Sequence, residues 1–128
     1  MTEYESSGFE PPAPVAIVTL RNPDNGKLRT DVQMLLDTGA DVSLVPASTL
    51  NELELRPDRD RSYEILGFDG RSSFARVARL EVIFYGRSFR GQFLLVDQNI
   101  GVLGRNVLNR LCLLFDGPAL RWEDSLVR

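Results

Sequence analysis

The chain contains no histidine, and this absence excludes whole classes of chemistry. Serine and cysteine peptidases of the usual kind use an imidazole as general base, and imidazole is also the commonest metal ligand. A single cysteine, Cys112, allows neither an internal disulfide nor a thiolate zinc site, and its apolar neighbours predict a buried thiol. We therefore expect no metal and no cofactor, with catalysis, if any, left to carboxylates and water.

Positive charge is also scarce, and long apolar runs are missing. Lys and Arg number 15 against 18 Asp and Glu, a net charge of -3, whereas a nucleic-acid binder needs a basic face. No stretch has the length and apolarity of a membrane span, and the polar, acidic first residues do not resemble a signal peptide. We expect no nucleic-acid or membrane partner and a cytoplasmic, reduced setting.

What the sequence does contain is a series of short apolar segments separated by turn residues. Its 128 residues, 43% of them hydrophobic, suffice for one domain with its own core. The proline-rich residues 1–14 predict a flexible or extended arm, and 15–128 predict a single domain. Regular alternation between the turns predicts an all-β, barrel-like fold with one or two short helices. The strands are expected at 15–20, 28–36, 42–45, 63–66, 73–84, 89–96, 113–115 and 119–122, and the helices at 47–53 and 105–111.

One segment carries a candidate for chemistry, the run Leu-Leu-Asp-Thr-Gly-Ala-Asp from Leu35 to Asp41. The two leucines predict a buried strand that delivers Asp37 to a tight turn, where an acid is costly unless its surroundings are built for it. Gly39 allows close backbone approach, and its N–H can reach a carboxylate. Asp-Thr-Gly is also an ordinary turn sequence, so the tripeptide alone is weak evidence.

Two later segments add weight, a glycine-flanked turn at Gly67–Gly70 and the run Val-Leu-Gly-Arg-Asn from Val102 to Asn106. Together with the Asp37 segment, and in this order, they resemble the retropepsins, the single-domain aspartic proteases of retroviruses and retroelements. The resemblance spans about Val15 to Trp122 and implies a closed β-barrel of the acid protease fold. The turn has fewer glycines than these proteases usually carry, and the C-terminal hairpin is more similar to cellular or bacterial relatives.

The resemblance implies a role for each matching residue. Asp37 is the catalytic carboxylate, and Thr38, Gly39 and Ala40 support its loop, Thr38 across a dimer axis. Asp41 contacts the substrate backbone and forms an ion pair with Arg105. The flap over the substrate is expected at 65–72. The residues expected to bind substrate are Leu35, Asp41, Ile65, Leu66, Gly67, Phe68, Ile100 and Val102.

The single Asp-Thr-Gly has a consequence for assembly. Peptide hydrolysis of this type needs two carboxylates that share a proton, one acting as base and the other as acid. The economical arrangement is a C2 homodimer with Asp37 of each chain on the axis and a peptide or protein substrate between the chains. Many two-lobed aspartic proteases have serine at the position of Ala40, and its hydroxyl can donate a hydrogen bond to the catalytic carboxylate. Alanine cannot, and one fewer hydrogen bond to the ionised form should raise the pKa of the pair. We therefore expect a less acidic pH optimum for cleavage than theirs. Two alternatives stay open, a non-catalytic dimeric peptide-binding or scaffold domain and a solitary barrel with a chance motif.

Overall fold

A computed structural model describes residues 1–58, 62–67 and 69–125. The strands in these ranges are β1 (Thr2–Glu3), β2 (Val15–Arg21), β3 (Leu28–Leu36), β4 (Leu44–Pro46), β5 (Ser62–Leu66), β6 (Ser72–Phe84), β7 (Arg87–Val96), β8 (Gly101–Leu103), β9 (Leu113–Asp116) and β10 (Arg121–Asp124). Two helices, α1 (Thr49–Leu53) and α2 (Arg105–Leu108), are short. The predicted all-β class with one or two short helices is confirmed. None of the described helices has the length and apolar character that a bilayer span requires.

Six of these strands close into a barrel. Their order is β2-β3-β8-β4-β7-β6, and β6 pairs with β2 to complete the circle, while β5 pairs with β6 outside it. Most neighbours are antiparallel, but β3 with β8 and β4 with β7 are parallel. Parallel neighbours need long connections, so these two pairings bring distant parts of the chain side by side. One of them places the end of β3, just before Asp37, next to the end of β8.

Alternation along the strands fills the barrel. In β3, Val32, Met34 and Leu36 are buried, and the residues between them are partly covered. The same period of two in β2 buries Ala16, Val18 and Leu20, and β6, β7 and β8 add further apolar side chains. A residue on the wrong face would lose this burial, so the pattern fixes the register of β3 against its neighbours. A fixed register of β3 in turn fixes where Asp37 emerges.

A second, smaller sheet with the order β1-β10-β9 lies beside the barrel. Thr2 pairs with Trp122, and Glu5 forms a bridge with Ala13, so the expected N-terminal arm is extended and paired along part of its length. Trp122 is 1% exposed and stacks on Phe84 in the core. The structure corrects the prediction for Cys112, which is exposed because it precedes the edge strand β9.

Glu81 is the centre of a charged cluster on β6. Its carboxylate accepts hydrogen bonds from Ser88 and from Arg21 Nη1, the latter at 2.6 Å, and Arg90 lies 3.6 Å away. The Ser88 and Arg21 hydrogen bonds, in that order, hold the pKa of Glu81 below its ordinary value of 4.5, against the opposing effect of burial. The cluster joins β2, β6 and β7, so its charge state contributes to barrel stability.

Replacing Glu81 by glutamine is therefore expected to lower stability in a pH-dependent way. A carboxyl whose pKa is lower in the folded state stabilises that state above its unfolded pKa, and the contribution fades as the pH falls through the folded pKa. Melting temperatures of the wild type and Glu81→Gln should differ most near neutral pH, and the difference should shrink as the pH falls below 4.5 and through the lowered folded pKa of Glu81. Glu123→Gln, a partly covered glutamate on β10, serves as the control. A melting-temperature difference between the wild type and Glu81→Gln that is equal at all pH values would show that the charge of Glu81 does not stabilise the fold.

Candidate active site

Asp37 follows β3 directly, at the point where the strand leaves the barrel. Leu36 donates its N–H to the Pro14 carbonyl at 3.0 Å, and Asp37 donates its N–H to the Leu103 carbonyl of β8 at the same distance. These bonds hold the backbone on both sides of the turn. The Asp37 side chain is half-buried, between a buried leucine and an exposed threonine.

The turn closes on the Asp37 carboxylate itself. Gly39 donates its N–H to Asp37 Oδ1 at 2.8 Å, and Ala40 donates its N–H to the Asp37 carbonyl at 3.2 Å. A Cβ atom on Gly39 would lie 3.1 Å from the same Oδ1, a close contact that favours glycine. The predicted contact between the Gly39 N–H and a carboxylate is thus present. A backbone N–H bond of this kind fixes the orientation of the carboxylate.

Arg105, the first residue of α2, donates two hydrogen bonds to the active-site loop. Its backbone N–H donates to the Ala40 carbonyl at 2.8 Å, and its guanidinium Nη1 donates to the Thr38 carbonyl, also at 2.8 Å. The predicted ion pair between Asp41 and Arg105 is wrong for the single chain, since no ion pair in the described ranges joins them. The guanidinium binds a backbone carbonyl instead, so Arg105 supports the loop without neutralising Asp41.

Ser43 and Gly104 join the loop to α2 in the interior. The fully buried Ser43 hydroxyl accepts the Gly104 N–H at 2.9 Å and donates to Asn106 Oδ1 at 2.6 Å. A Cβ atom on Gly104 would lie 2.5 Å from the Val42 carbonyl oxygen, which no real side chain tolerates. Each residue of the Gly-Arg-Asn segment therefore has its own structural role: Gly104 allows close packing, Arg105 supports the loop, and Asn106 accepts a partly buried hydrogen bond from Ser43.

A cavity of about 420 Å³ opens beside the Asp37 turn. One wall is the loop from Gly39 to Val42, and the opposite wall is β5. The lining is mainly apolar, and it consists of Gly39, Ala40, Asp41, Val42, Leu44, Tyr63, Glu64, Ile65, Leu66 and Leu94. A mainly apolar hollow of this size beside the Asp37 turn suits a peptide side chain.

The hairpin of β5 and β6 forms the outer wall and ends in the turn predicted as a flap. Gly67 donates its N–H to the Arg71 carbonyl at 2.9 Å, and Arg71 donates its N–H to Asp69 Oδ1 at 2.9 Å. Gly70 has a φ of 80°, which only glycine adopts without strain. Leu66 is 70% exposed at the end of this hairpin. Phe68 lies outside the described residues.

The structure thus brings some of the predicted site residues together and leaves others apart. Gly39, Ala40, Asp41, Ile65 and Leu66 share the cavity, and Gly67 follows directly. Leu35, Ile100 and Val102 do not line it; Leu35 and Val102 are partly covered register partners on β3 and β8. Sequence reasoning missed five lining residues, although the alternation of Val42 and Leu44, which leads into β4, was a usable signal. These are Val42, Leu44, Tyr63, Glu64 and Leu94.

The barrel and its loop define a class, the single-domain aspartic protease fold with one Asp-Thr-Gly turn per chain. The solved structure of EIAV protease in complex with the inhibitor HBY-793 matches this chain with a TM-score of 0.56 and 27% sequence identity. The match covers 77% of this chain and 86% of the viral protease. The predicted retropepsin-like barrel is therefore confirmed.

The family assignment follows from the sequence match. Residues 25–110, which are more than half of the chain and include both the Asp37 turn and Gly104, match the family described as "gag-polyprotein putative aspartyl protease". The chain belongs to this family of retropepsin-like aspartic proteases. No curated protein matches the chain.

Proposed function

We propose that the chain is an aspartic endopeptidase that works as a homodimer, with one Asp37 carboxylate from each chain at the dimer axis. The observation that supports this most is the Asp37 turn, which is anchored to β8, closed on its own carboxylate by Gly39 and supported by Arg105. A module that only binds peptides has no need for a carboxylate held in this way.

The proposed reaction uses the two carboxylates in different protonation states. Like charges about 3 Å apart cannot both ionise, so the pair shares one proton. The ionised carboxylate takes a proton from water, whose oxygen bonds to the scissile carbonyl carbon, while the protonated one donates to the carbonyl oxygen. Collapse of the tetrahedral intermediate breaks the C–N bond. The amine nitrogen takes the proton that came from water, and a hydroxyl of the intermediate returns a proton to the other carboxylate, which restores the singly protonated pair. The proposed reaction needs no metal, because the ionised carboxylate itself activates the water.

The direct test is cleavage of a peptide library by the purified protein, with and without a pepstatin-type inhibitor that mimics the tetrahedral intermediate. We expect inhibitor-sensitive cleavage whose specific activity falls on dilution, because the paired site exists only in the dimer. Peptide binding without any cleavage would favour the non-catalytic domain instead. Cleavage that is indifferent to the inhibitor and to dilution would contradict the paired mechanism.

The lining of the cavity also predicts a preference among substrates. Asp41 and Glu64 are exposed carboxylates on opposite walls, and no cation stands among the described lining residues. A peptide with lysine or arginine next to an apolar residue would gain favourable charge interaction there. Matched peptides carrying lysine, glutamine or glutamate at one position should be cleaved with kcat/KM in that order. Glu64→Gln should reduce the difference in kcat/KM between the lysine and glutamate peptides, and Glu123→Gln should not. An unchanged difference in Glu64→Gln would refute the proposed role of Glu64 in attracting a basic side chain.

A further inference from the structure

A second cavity, of about 250 Å³, lies on the outside of the barrel. Its walls come from three places, the turn after β2, the residues 54–56 that follow α1, and Arg79 of β6. No described residue lines both this cavity and the one beside the Asp37 turn. The outer cavity is therefore a separate hollow, and the peptidase proposed above makes no use of it.

A backbone hydrogen bond brings two arginines together at this cavity. Asp58 donates its N–H to the Val77 carbonyl of β6 at 2.8 Å, and β5, which follows, runs antiparallel to the same strand. The chain before Asp58 therefore runs along β6 towards higher residue numbers. Arg56 stands two residues before Asp58, and Arg79 stands two residues after Val77. The two side chains are thus neighbours, and both line the cavity.

The charges of these two arginines are not balanced by carboxylates. No ion pair in the described ranges involves Arg56 or Arg79. Like charges at neighbouring positions of adjacent strands repel each other. Of the two carboxylates in the lining, Glu54 pairs with Lys27 at 2.8 Å, and Asp24 alone offsets one arginine. The cavity therefore carries an excess of positive charge, in a chain whose net charge is -3.

The wall opposite the arginines is rigid. Asn22, which is 5% exposed, donates its side-chain amide to the Leu53 carbonyl at 2.9 Å, and Asn25 donates to the same carbonyl at 3.2 Å. Their side-chain oxygens accept backbone N–H groups within the turn. The turn is thereby fixed to the end of α1. A preformed wall lowers the entropy that an entering ligand must lose.

The outer cavity is connected to the active-site cavity through β6 and β5. The segment 54–58 leads into β5, which forms the outer wall of the cavity beside the Asp37 turn. Val77, which accepts the Asp58 N–H, is 1% exposed and packs with Leu94, a lining residue of that cavity. A ligand held by both arginines would join the segment 54–58 to β6. It would restrain the base of the β5–β6 hairpin.

We propose that Arg56 and Arg79 bind a phosphate group, and that the bound phosphate restrains the hairpin over the active-site cavity. A guanidinium donates two parallel hydrogen bonds to phosphate oxygens, and a dianion between two guanidiniums removes their mutual repulsion. The phosphate group belongs either to the free ion or to a small phosphate ester. The binding site stands without the proposed peptidase, whereas its effect on cleavage rests on that function.

Calorimetric titration with inorganic phosphate, at an ionic strength held constant with chloride, tests the site. The wild type should bind one phosphate per chain, and Arg56→Gln and Arg79→Gln should each lose at least about tenfold in affinity. Arg76→Gln is the matched control, because Arg76 is also an exposed arginine of β6 without an ion pair in the described ranges. It should bind phosphate like the wild type.

Titration with glycerol phosphate distinguishes the two sources of the phosphate group. Tighter binding than that of the free ion would assign the site to an ester, and equal or weaker binding would assign it to inorganic phosphate. A wild type that binds neither ligand would overturn the site, even if Asp37-dependent cleavage is found. Binding that survives in both Arg56→Gln and Arg79→Gln would overturn it as well.

Kinetics test the effect on the hairpin. Saturating phosphate should lower KM for a cleaved library peptide about fivefold and leave kcat unchanged, because a restrained hairpin loses less entropy when substrate binds. Arg79→Gln should have the same KM with and without phosphate. A wild-type KM indifferent to phosphate would overturn the restraint of the hairpin. Phosphate binding that requires both arginines, in a protein that cleaves nothing, would instead overturn the peptidase and leave the site standing.

Discussion

Replacing Asp37 by asparagine is expected to lower kcat/KM for peptide cleavage on the order of 10⁴-fold. Asparagine keeps the size of the side chain and can still accept the Gly39 N–H, so the loop should retain its geometry. It cannot ionise and therefore cannot take a proton from water. The measurement is initial-rate kinetics on a cleaved library peptide, with unfolding curves to show that the variant folds.

The control for this variant is Asp24→Asn, which changes an exposed aspartate in the turn after β2. It should retain full activity. Cleavage that persists in Asp37→Asn at the level of this control would refute the assignment of Asp37 as the catalyst.

A mixing experiment extends the same prediction to the pair. When a fixed amount of wild type is mixed with an equal amount of Asp37→Asn and the subunits exchange freely, about half of the wild-type chains enter mixed dimers. Activity should then fall to about half, because a mixed dimer has one ionisable carboxylate. Asp24→Asn, added in the same way, should raise activity. An undiminished rate with Asp37→Asn would mean that each chain acts alone.

The sequence predicted the main strands well where burial alone determines them. The nine residues of β3 were predicted with the correct limits because alternate residues reach the core and the turn before it is strongly marked. Strands β1 and β8 were not predicted as strands, since two or three residues carry no period and their pairing depends on partners far along the chain. Such short strands exist only through tertiary contact.

The site was predicted less completely than the barrel. The Asp37 turn and the Gly104 segment were recognisable from residue types alone, and the structure places them in contact. The hydrogen-bond partner of the Arg105 side chain was not predictable. A guanidinium can bind either a carboxylate or a backbone carbonyl, and the local geometry that places the Thr38 carbonyl within reach is not visible in the sequence. The cavity wall formed by β5 depends on how the hairpin folds back over the barrel, and spacing in the sequence does not show that.

Gly104→Ala is expected to lower the free energy of unfolding by roughly 3 kcal/mol, at the upper end for overpacked sites. The added Cβ would lie 2.5 Å from the Val42 carbonyl oxygen and 2.9 Å from that of Ala40, and both are backbone atoms that cannot rotate away. Backbone conformation is not the cause, since Gly104 has a φ of −95°, which alanine adopts freely. Urea unfolding monitored by Trp122 fluorescence measures the change.

The matched control is Gly91→Ala, a strand glycine whose added Cβ would meet nothing within 4 Å. It should be neutral or slightly stabilising, because alanine restricts the unfolded chain.

Gly104→Ala should also affect catalysis, and not only the stability of the fold. Relief of the clash at Gly104 must move α2 away from Val42, and this weakens the Arg105 bonds to Ala40 and Thr38 that hold the Asp37 turn. The folded fraction of Gly104→Ala should therefore also cleave more slowly, and an unchanged kcat in that fraction would show that the turn does not depend on α2.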